Sequence, residues 1–508
     1  MTALRIGIDV GGTNTDAVLL GPGATLLARA KVPTTPDPTD GIQAALAEVL
    51  PERGAAIATV SLGTTHALNA ILRRRGLGRV AVLRLAGPAT RSVAPFAGWP
   101  SDLRAAVDGG AWILDGGVEI DGRVHPLDHA QIRRALADCG SVDGVAIVGS
   151  FSLQNPVQEL EAAELVRSVL GAGVPISLGH RVGGIGLLER ENAAILNASL
   201  TRIVGGVIEA FVVALAGHGI DGTPFLTQND GTLMSLASAR ALPVLTIGGG
   251  ASNSIRGAGV LTGLADAVVI DVGGTSTDVG AIAQGFPRES SFGVELGGVQ
   301  TNFRMPDVVS VALGGGTVVG ADGSLGPDSV GYLLTQQARV FGGDVLTLSD
   351  LAVAAGRVSM GDSARAHGIG RPDVLAVADR LVADALDRMK LSRDDVPVVL
   401  VGGGSAVLPA TLPGASLLHR PADFDVANAI GAAVGLVSGD AEHVLDLGPD
   451  RAGGIEAVRA DASKRAVQAG ADPTRLETIR IDEVPLAYTD PPMSRLRVKV
   501  AGPPRETG

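Results

Sequence analysis

Ile8-Asp9-Val10-Gly11-Gly12-Thr13-Asn14-Thr15-Asp16 returns later in the chain as Ile270-Asp271-Val272-Gly273-Gly274-Thr275-Ser276-Thr277-Asp278, with only Asn14 and Ser276 differing. Eight identities in nine mark a duplication rather than chance. Each copy follows an apolar, β-branched run, so each reads as a strand that ends in a tight turn. The glycines let backbone N–H groups approach an anion closely. Asp9 and Asp271, at the strand ends, are placed to hold a divalent cation directly or through water. Two such loops facing each other would clamp a polyphosphate and its metal from both sides. In a single copy, an aspartate before glycine equally well initiates a turn; the repetition is what favours a ligand. Thr13 and Thr275 either offer hydroxyls to phosphate or cap the turn, and Asp16 and Asp278 read as structural.

Composition narrows the class. The chain has 508 residues, suited to two lobes and an extension rather than one core. It is 46% hydrophobic but only 3% aromatic, so its interior is built from Ala, Val, Leu and Ile. No unbroken apolar stretch approaches the roughly 20 residues of a spanning helix, and no membrane association is expected. The first strand starts at about Arg5, leaving no room for a signal peptide. The single cysteine, Cys139, offers neither an internal disulfide nor a metal cluster. A cytoplasmic protein is expected. A formal charge of −12 without a basic stripe argues against nucleic-acid binding.

The first lobe opens as a meander, Arg5–Val10, Thr15–Leu20 and about Thr25–Lys31, followed by helices near Gly41–Val49 and Thr65–Arg75, the latter closing at Gly76. Arg79–Leu85 and Val142–Ser150 read as strands of a covered parallel sheet, with the helix Pro156–Leu170 behind them. An Asp/Gly-rich insertion, near 90–130 and richest at Val107–Pro126, is expected to be a subdomain or lid. The expected division is 1–186 for the first lobe, 187–438 for a connecting helix (about Leu187–Ala216) and the second lobe, and 439–508 for a C-terminal α+β extension appended to the second lobe. Gly314-Gly315-Gly316 is ambiguous between nucleotide contact and a substrate-side loop. Gly402-Gly403-Gly404, after the strand Val398–Val401, would let a purine and ribose lie against bare backbone. Thr64, Thr65 and His66 stand at a helix start whose N–H groups favour an anion, or they merely cap it. His66 is the best-placed histidine for proton transfer.

The order of these features resembles the actin/hexokinase/Hsp70 ATPase superfamily, an α/β fold of two lobes. More closely it resembles the hydantoinase A/5-oxoprolinase family. The resemblance is carried by Gly7–Leu20, Gly63–Ala70, Val269–Val279, Ala312–Thr317, Gly326–Gly331, Val401–Ser405 and Ala427–Ala432, in family order over about residues 4 to 440. Three departures mark a short subgroup. The part corresponding to a separate B subunit is absent, the longer A subunits have many more residues, and Gly248–Ser254 stands where the family often has a Ser-Gly-Pro turn.

The resemblance implies ATP with Mg2+ or Mn2+ as cofactors. In it the phosphates lie at Gly11, Gly12, Thr13, Asn14, Gly273, Gly274, Thr275 and Ser276, and the adenosine at Gly402, Gly403 and Gly404. Gly314 and Gly315 are further nucleotide candidates. Asp9 and Asp271 hold the metal, and they join Thr64, Thr65 and His66 as candidate catalytic residues. The implied reaction is ATP-dependent opening of a cyclic amide (a hydantoin, 5-oxoproline or a related lactam) by phosphorylation of its carbonyl oxygen. Expected partners are that small molecule and a second, B-type subunit, in an oligomer. An ATP-using subunit of a ketone-type carboxylase, a small-molecule kinase and a nucleotide-gated regulatory module stay open. Asn229, Asp230, His180 and Arg181 are expected near the interlobe cleft.

Overall fold

A computed structural model describes residues 4–35, 37–51, 56–119, 121–290, 293–448, 450–486 and 492–505. The opening meander forms as read: Leu4–Val10 pairs antiparallel with Asn14–Leu20, which pairs antiparallel with Leu26–Pro33. Ile57–Thr64 then adds parallel to the first strand. The helix Pro38–Val49 begins at a proline, with the Asp37 side chain accepting from the Thr39 N–H at 2.8 Å. Ile42, Ala45, Leu46 and Val49 share its buried face and pack under the meander. The next helix, His66–Arg73, closes on Arg74 in a left-handed conformation (φ 53°), two residues before the expected Gly76.

Part of the supposed insertion is ordinary sheet, preceded by the helix Ser101–Val107. Asp108–Asp115 pairs parallel with Val80–Gly87, in a four-stranded sheet that continues through Gly144–Gly149 to Ile176–Leu178. Every residue of Val80–Gly87 is buried, as expected for a parallel strand covered on both faces. Aspartates and glycines around 108–117 terminate and turn this strand.

Leu187–Gly217 is a single helix of 31 residues, long and apolar enough by length and composition to cross a membrane. A search for unbroken apolar runs passes over it because Glu189, Arg190, Arg202 and Glu209 interrupt the sequence. Its Ile195, Leu196, Leu200 and Phe211 lie in the first lobe's core with Ile6, Ile8 and Leu62, so protein packing covers one face, while Leu188, Val212 and Val213 stay exposed.

The sheets divide the chain differently from its linear order. Thr223–Thr227 and Leu233–Ser235 extend the first lobe's sheet, as do Val437–Leu445, Ser494–Gly502 and Glu477–Pro485, giving nine strands among the described residues. The C-terminal extension therefore belongs to the first lobe, not the second, with the helix Arg451–Gln468 packed on it. The second lobe is built on Phe286–Pro287, Thr277–Ala283, Ala267–Val272, Val396–Val401 and Ala415–His419. Between the lobes the helices Gly249–Thr262 and Ala427–Ala433 cross at backbone contact. A Cβ on Gly257 would overlap the Ala427 carbonyl oxygen, and one on Gly431 the Asn253 oxygen.

Candidate nucleotide and metal site

The two duplicated segments fold alike. In each, the first aspartate sits opposite the second across an antiparallel pair: Asp9 faces Asp16, and Asp271 faces Asp278. In each, the first glycine N–H closes the turn, Gly11 on the Asn14 carbonyl at 3.0 Å and Gly273 on the Ser276 carbonyl at 2.9 Å. Different neighbours brace the turns. Thr34 holds the first, donating its N–H to the Thr13 carbonyl (3.1 Å) and its hydroxyl to the Gly11 carbonyl (2.9 Å). The second is held by Gly315 and Gly316, whose N–H groups donate to the Gly273 and Gly274 carbonyls at 3.0 and 2.7 Å. Gly314 lies on the backbone of Gly274 and Thr275, so its first role is to support that loop.

The loops meet across the cleft. A Cβ on Gly274 would stand 3.1 Å from the Thr13 hydroxyl oxygen, and Gly315 faces the Cα of Gly404. Gly12, Thr275 and Ser276 are exposed and Thr13 and Asn14 half-exposed, so their donors are open to a ligand. Gly402 (φ 81°) follows its strand directly, and any side chain there would run into the Asp271 carboxylate. Gly63 repeats this relation in the first lobe, where a Cβ would strike the Asp9 carboxylate and the Asn253 amide. Bare backbone thus lies beside each aspartate.

Both aspartates have displaced acidities. Burial pushes Asp9 up to about 6, against the hydrogen bonds that Asn253 and Asn428 donate. Burial likewise pushes Asp271 up to about 6, opposed by the Ser254 hydroxyl at 2.5 Å and reinforced by the negative charges of Asp278 and Asp9. Asp16 and Asp278 are also raised by burial. Two carboxylates that ionise reluctantly without a counter-charge suit a cation that arrives with the ligand. Among the described residues, no three His, Cys, Asp or Glu side chains form a ready metal cage. That fits Mg2+, which commonly takes one or two carboxylates and completes its shell with water and phosphate oxygens. The Asn253 Oδ1, buried without a hydrogen-bond partner among the described residues, is a further acceptor in the same cradle.

Thr64, Thr65 and His66 stand at the margin. The buried Thr64 hydroxyl is paired with His66 Nδ1 at 2.7 Å, and its oxygen also accepts the His66 N–H. The Thr65 hydroxyl oxygen accepts from the Asn69 amide at 3.2 Å. Burial lowers the His66 pKa. Its ring lines a groove of about 530 Å3 with Asp37, Arg202 and Val213, beside the long helix, and not with Asp9 and Asp271. Asn229 and Asp230 are engaged by protein groups. The Asn229 amide donates to the Val244 and Arg304 carbonyls, and Asp230 is held by Thr232 and Lys499. His180 is bound by Glu159 at 2.6 Å.

The residues that sequence reasoning missed are Asn253, Ser254, Asn428 and Lys31; Gly63 stood in the motif Gly63–Ala70, but its place beside Asp9 was not foreseen. Asn428 donates to Asp9 at 3.1 Å and, by its other amide hydrogen, to Asp16 at 3.0 Å. The departure at Gly248–Ser254 and the motif Ala427–Ala432 contained the signal, without saying what they touch.

Comparison with known proteins bears on the family and the fold. The signature described as "Hydantoinase/oxoprolinase N-terminal region" matches residues 5–170, and that described as "Hydantoinase/oxoprolinase" matches residues 190–396. The acetophenone carboxylase gamma subunit of Aromatoleum aromaticum is 28% identical over 398 residues, 70% of this chain and 53% of that protein. The caprolactamase subunit alpha of Pseudomonas jessenii is 28% identical over 476 residues, 84% of this chain and 65% of that protein. The chain therefore spans between about half and two thirds of these relatives. Among solved structures, ATP-dependent caprolactamase from Pseudomonas jessenii superposes with a TM-score of 0.77 at 20% identity, covering 99% of this chain and 89% of that one. Nucleotide-free acetone carboxylase gives 0.70 at 18% identity, covering 100% and 89%. The fold is the two-lobed α/β ATPase fold, and with two successive signatures on one sequence the chain belongs to the hydantoinase/oxoprolinase family.

Proposed function

We propose that this chain is the ATP-using part of an enzyme that opens a cyclic amide, a lactam, hydantoin or 5-oxoproline-like ring. The observation that carries the reading is the meeting of two copies of one aspartate–glycine loop, each with a buried carboxylate of raised pKa beside bare glycine backbone. An amide resists water because its nitrogen donates into the carbonyl. Bound ATP would supply a phosphoryl group to the carbonyl oxygen, with the β–γ P–O bond breaking as the new O–P bond forms; one water then adds at carbon and the C–N bond opens as nitrogen takes a proton, and a second water releases free phosphate from the acyl phosphate that is left. The chain's own part is to hold and to neutralise. Gly11 to Asn14 and Gly273 to Ser276 offer N–H groups and hydroxyls to the phosphates, and Asp9 and Asp271 would hold Mg2+ against them. Gly402 to Gly404 take the adenosine.

The similarity to a caprolactamase subunit favours a lactam, and both curated relatives are named as subunits, which supports a B-type partner. A second reading, the ATP-using subunit of a carboxylase, is favoured by the similarity to the acetophenone carboxylase subunit. Product stoichiometry separates them. A panel of caprolactam, 5-oxoproline and hydantoins, assayed with the partner subunit, should yield ADP, free phosphate and ring-opened product in equal amounts without bicarbonate. Dependence on bicarbonate would establish the carboxylase, and ADP without free phosphate a kinase.

A further inference from the structure

Lys31 lies in the strand Leu26–Pro33 and reaches the cleft from the side of the first lobe. Its Nζ donates to Asp16 Oδ1 at 2.7 Å and to the Asp425 carbonyl at 2.8 Å, leaving one of three N–H donors without a partner among the described residues. Asp16 is paired in register with Asp9 behind the first loop. Across the cleft, the Lys31 Cε stands 3.9 Å from where a Cβ on Gly403 would lie, against the glycine run expected to receive the nucleotide. Its positive charge acts on Asp9, Asp16 and Asp271 alike. One ammonium group, a third exposed, therefore touches the surroundings of both loops and of the glycine run.

We propose that Lys31 is a nucleotide-binding residue, donating to the phosphate chain of the bound nucleotide from between the first loop and Gly403; this rests on the nucleotide reading above. Asp16 and the Asp425 carbonyl hold the flexible side chain in place before a ligand arrives, which lowers the ordering cost on binding. A compact ammonium at this point counters the phosphates' charge where the aspartates alone would repel it.

The competing role is a tether between this strand and the segment Phe424–Val426. Two variants separate the roles. K31M removes the charge and leaves Asp16 buried with Asn428 but without its cationic partner. D16N/K31M removes both charges, so the cleft keeps its net charge and any loss reads the contact. Affinities for adenosine, ADP and the non-hydrolysable analogue AMPPNP, with Mg2+, should be measured by calorimetry on wild type and both variants. In both variants, AMPPNP and ADP should weaken by roughly tenfold or more, while adenosine stays unchanged. K31R should recover part of the loss. AMPPNP affinity within twofold of wild type in D16N/K31M, or an equal loss for adenosine, would overturn the proposal and leave the nucleotide site standing. Wild type that binds none of the three would overturn the site and Lys31's role together.

Discussion

Asn253 donates its side-chain amide to Asp9 at 3.1 Å, joining the helix between the lobes to the end of the first strand. The next residue, Ser254, donates its hydroxyl to Asp271 at 2.5 Å. Two consecutive residues on one helix thus hold the two aspartates of the duplicated loops, and their mutual position is set by a single turn of backbone. Asn253→Ala and Ser254→Ala should each lower turnover by roughly tenfold with the fold intact, as loss of partners that orient metal-binding carboxylates does. Asn253→Asp should be worse, because it sets a second carboxylate against Asp9. Steady-state ATP hydrolysis checks this; wild-type rates in both alanine variants would deny the helix any positioning role.

The raised acidities give a stability effect with a definite sign. Asp271 titrates at about 6 in the folded chain against an ordinary 3.8, so the folded state binds its proton more tightly than the unfolded state does. Below about pH 4 both states are protonated and there is no penalty. As pH rises through 6 the folded state carries an ionised buried carboxylate, and stability falls. Asp271→Asn, whose side-chain oxygen still accepts from Ser254, should melt higher than wild type at pH 8 in chelator, by an amount worth up to about 3 kcal/mol. The difference should shrink towards zero near pH 4. Melting curves that differ equally at both pH values would contradict the assignment.

Gly63 and Gly402 make a matched pair. A methyl group on either runs into the carboxylate it borders, Asp9 in one case and Asp271 in the other. Gly63→Ala and Gly402→Ala should therefore express as folded proteins whose affinity for Mg·AMPPNP falls by more than roughly tenfold. Titration calorimetry and circular dichroism together read both halves of this expectation.

Gly257 lies where two helices touch backbone to backbone, and Gly257→Ala has no side chain to displace, only the Ala427 carbonyl. Overpacking of this kind should cost roughly 3 kcal/mol. A urea denaturation midpoint within experimental error of wild type would show that the crossing is looser than described.

What the sequence disclosed follows from how local each signal is. The loops were legible because the same nine residues occur twice, and their turn chemistry is complete within them. Asn253 and Lys31 were not, because their partners lie elsewhere in the chain and a lone Asn or Lys carries no local mark of its contact. The tail misled for a different reason. Arg497 and Lys499 carry no local mark of burial, yet both are buried in a strand, paired with Asp440, Glu289 and Asp230. Burial alone would raise Glu289, but Lys499, Arg497 and Arg304 hold its carboxyl far below the usual range. A charge-rich segment can be an interior strand when its counter-charges come from distant elements. The boundaries of 187–438 suffered similarly, since strand pairing and not chain order sorts segments into lobes.

The central claim is that the two loops form one nucleotide site. It is tested most directly by calorimetric titration of the chain with Mg·AMPPNP, beside Asp9→Ala and Asp271→Ala. One ligand per chain in wild type, with binding lost or weakened by orders of magnitude in each variant, is the predicted result. Two ligands per chain, or near-wild-type binding in either variant, would contradict it.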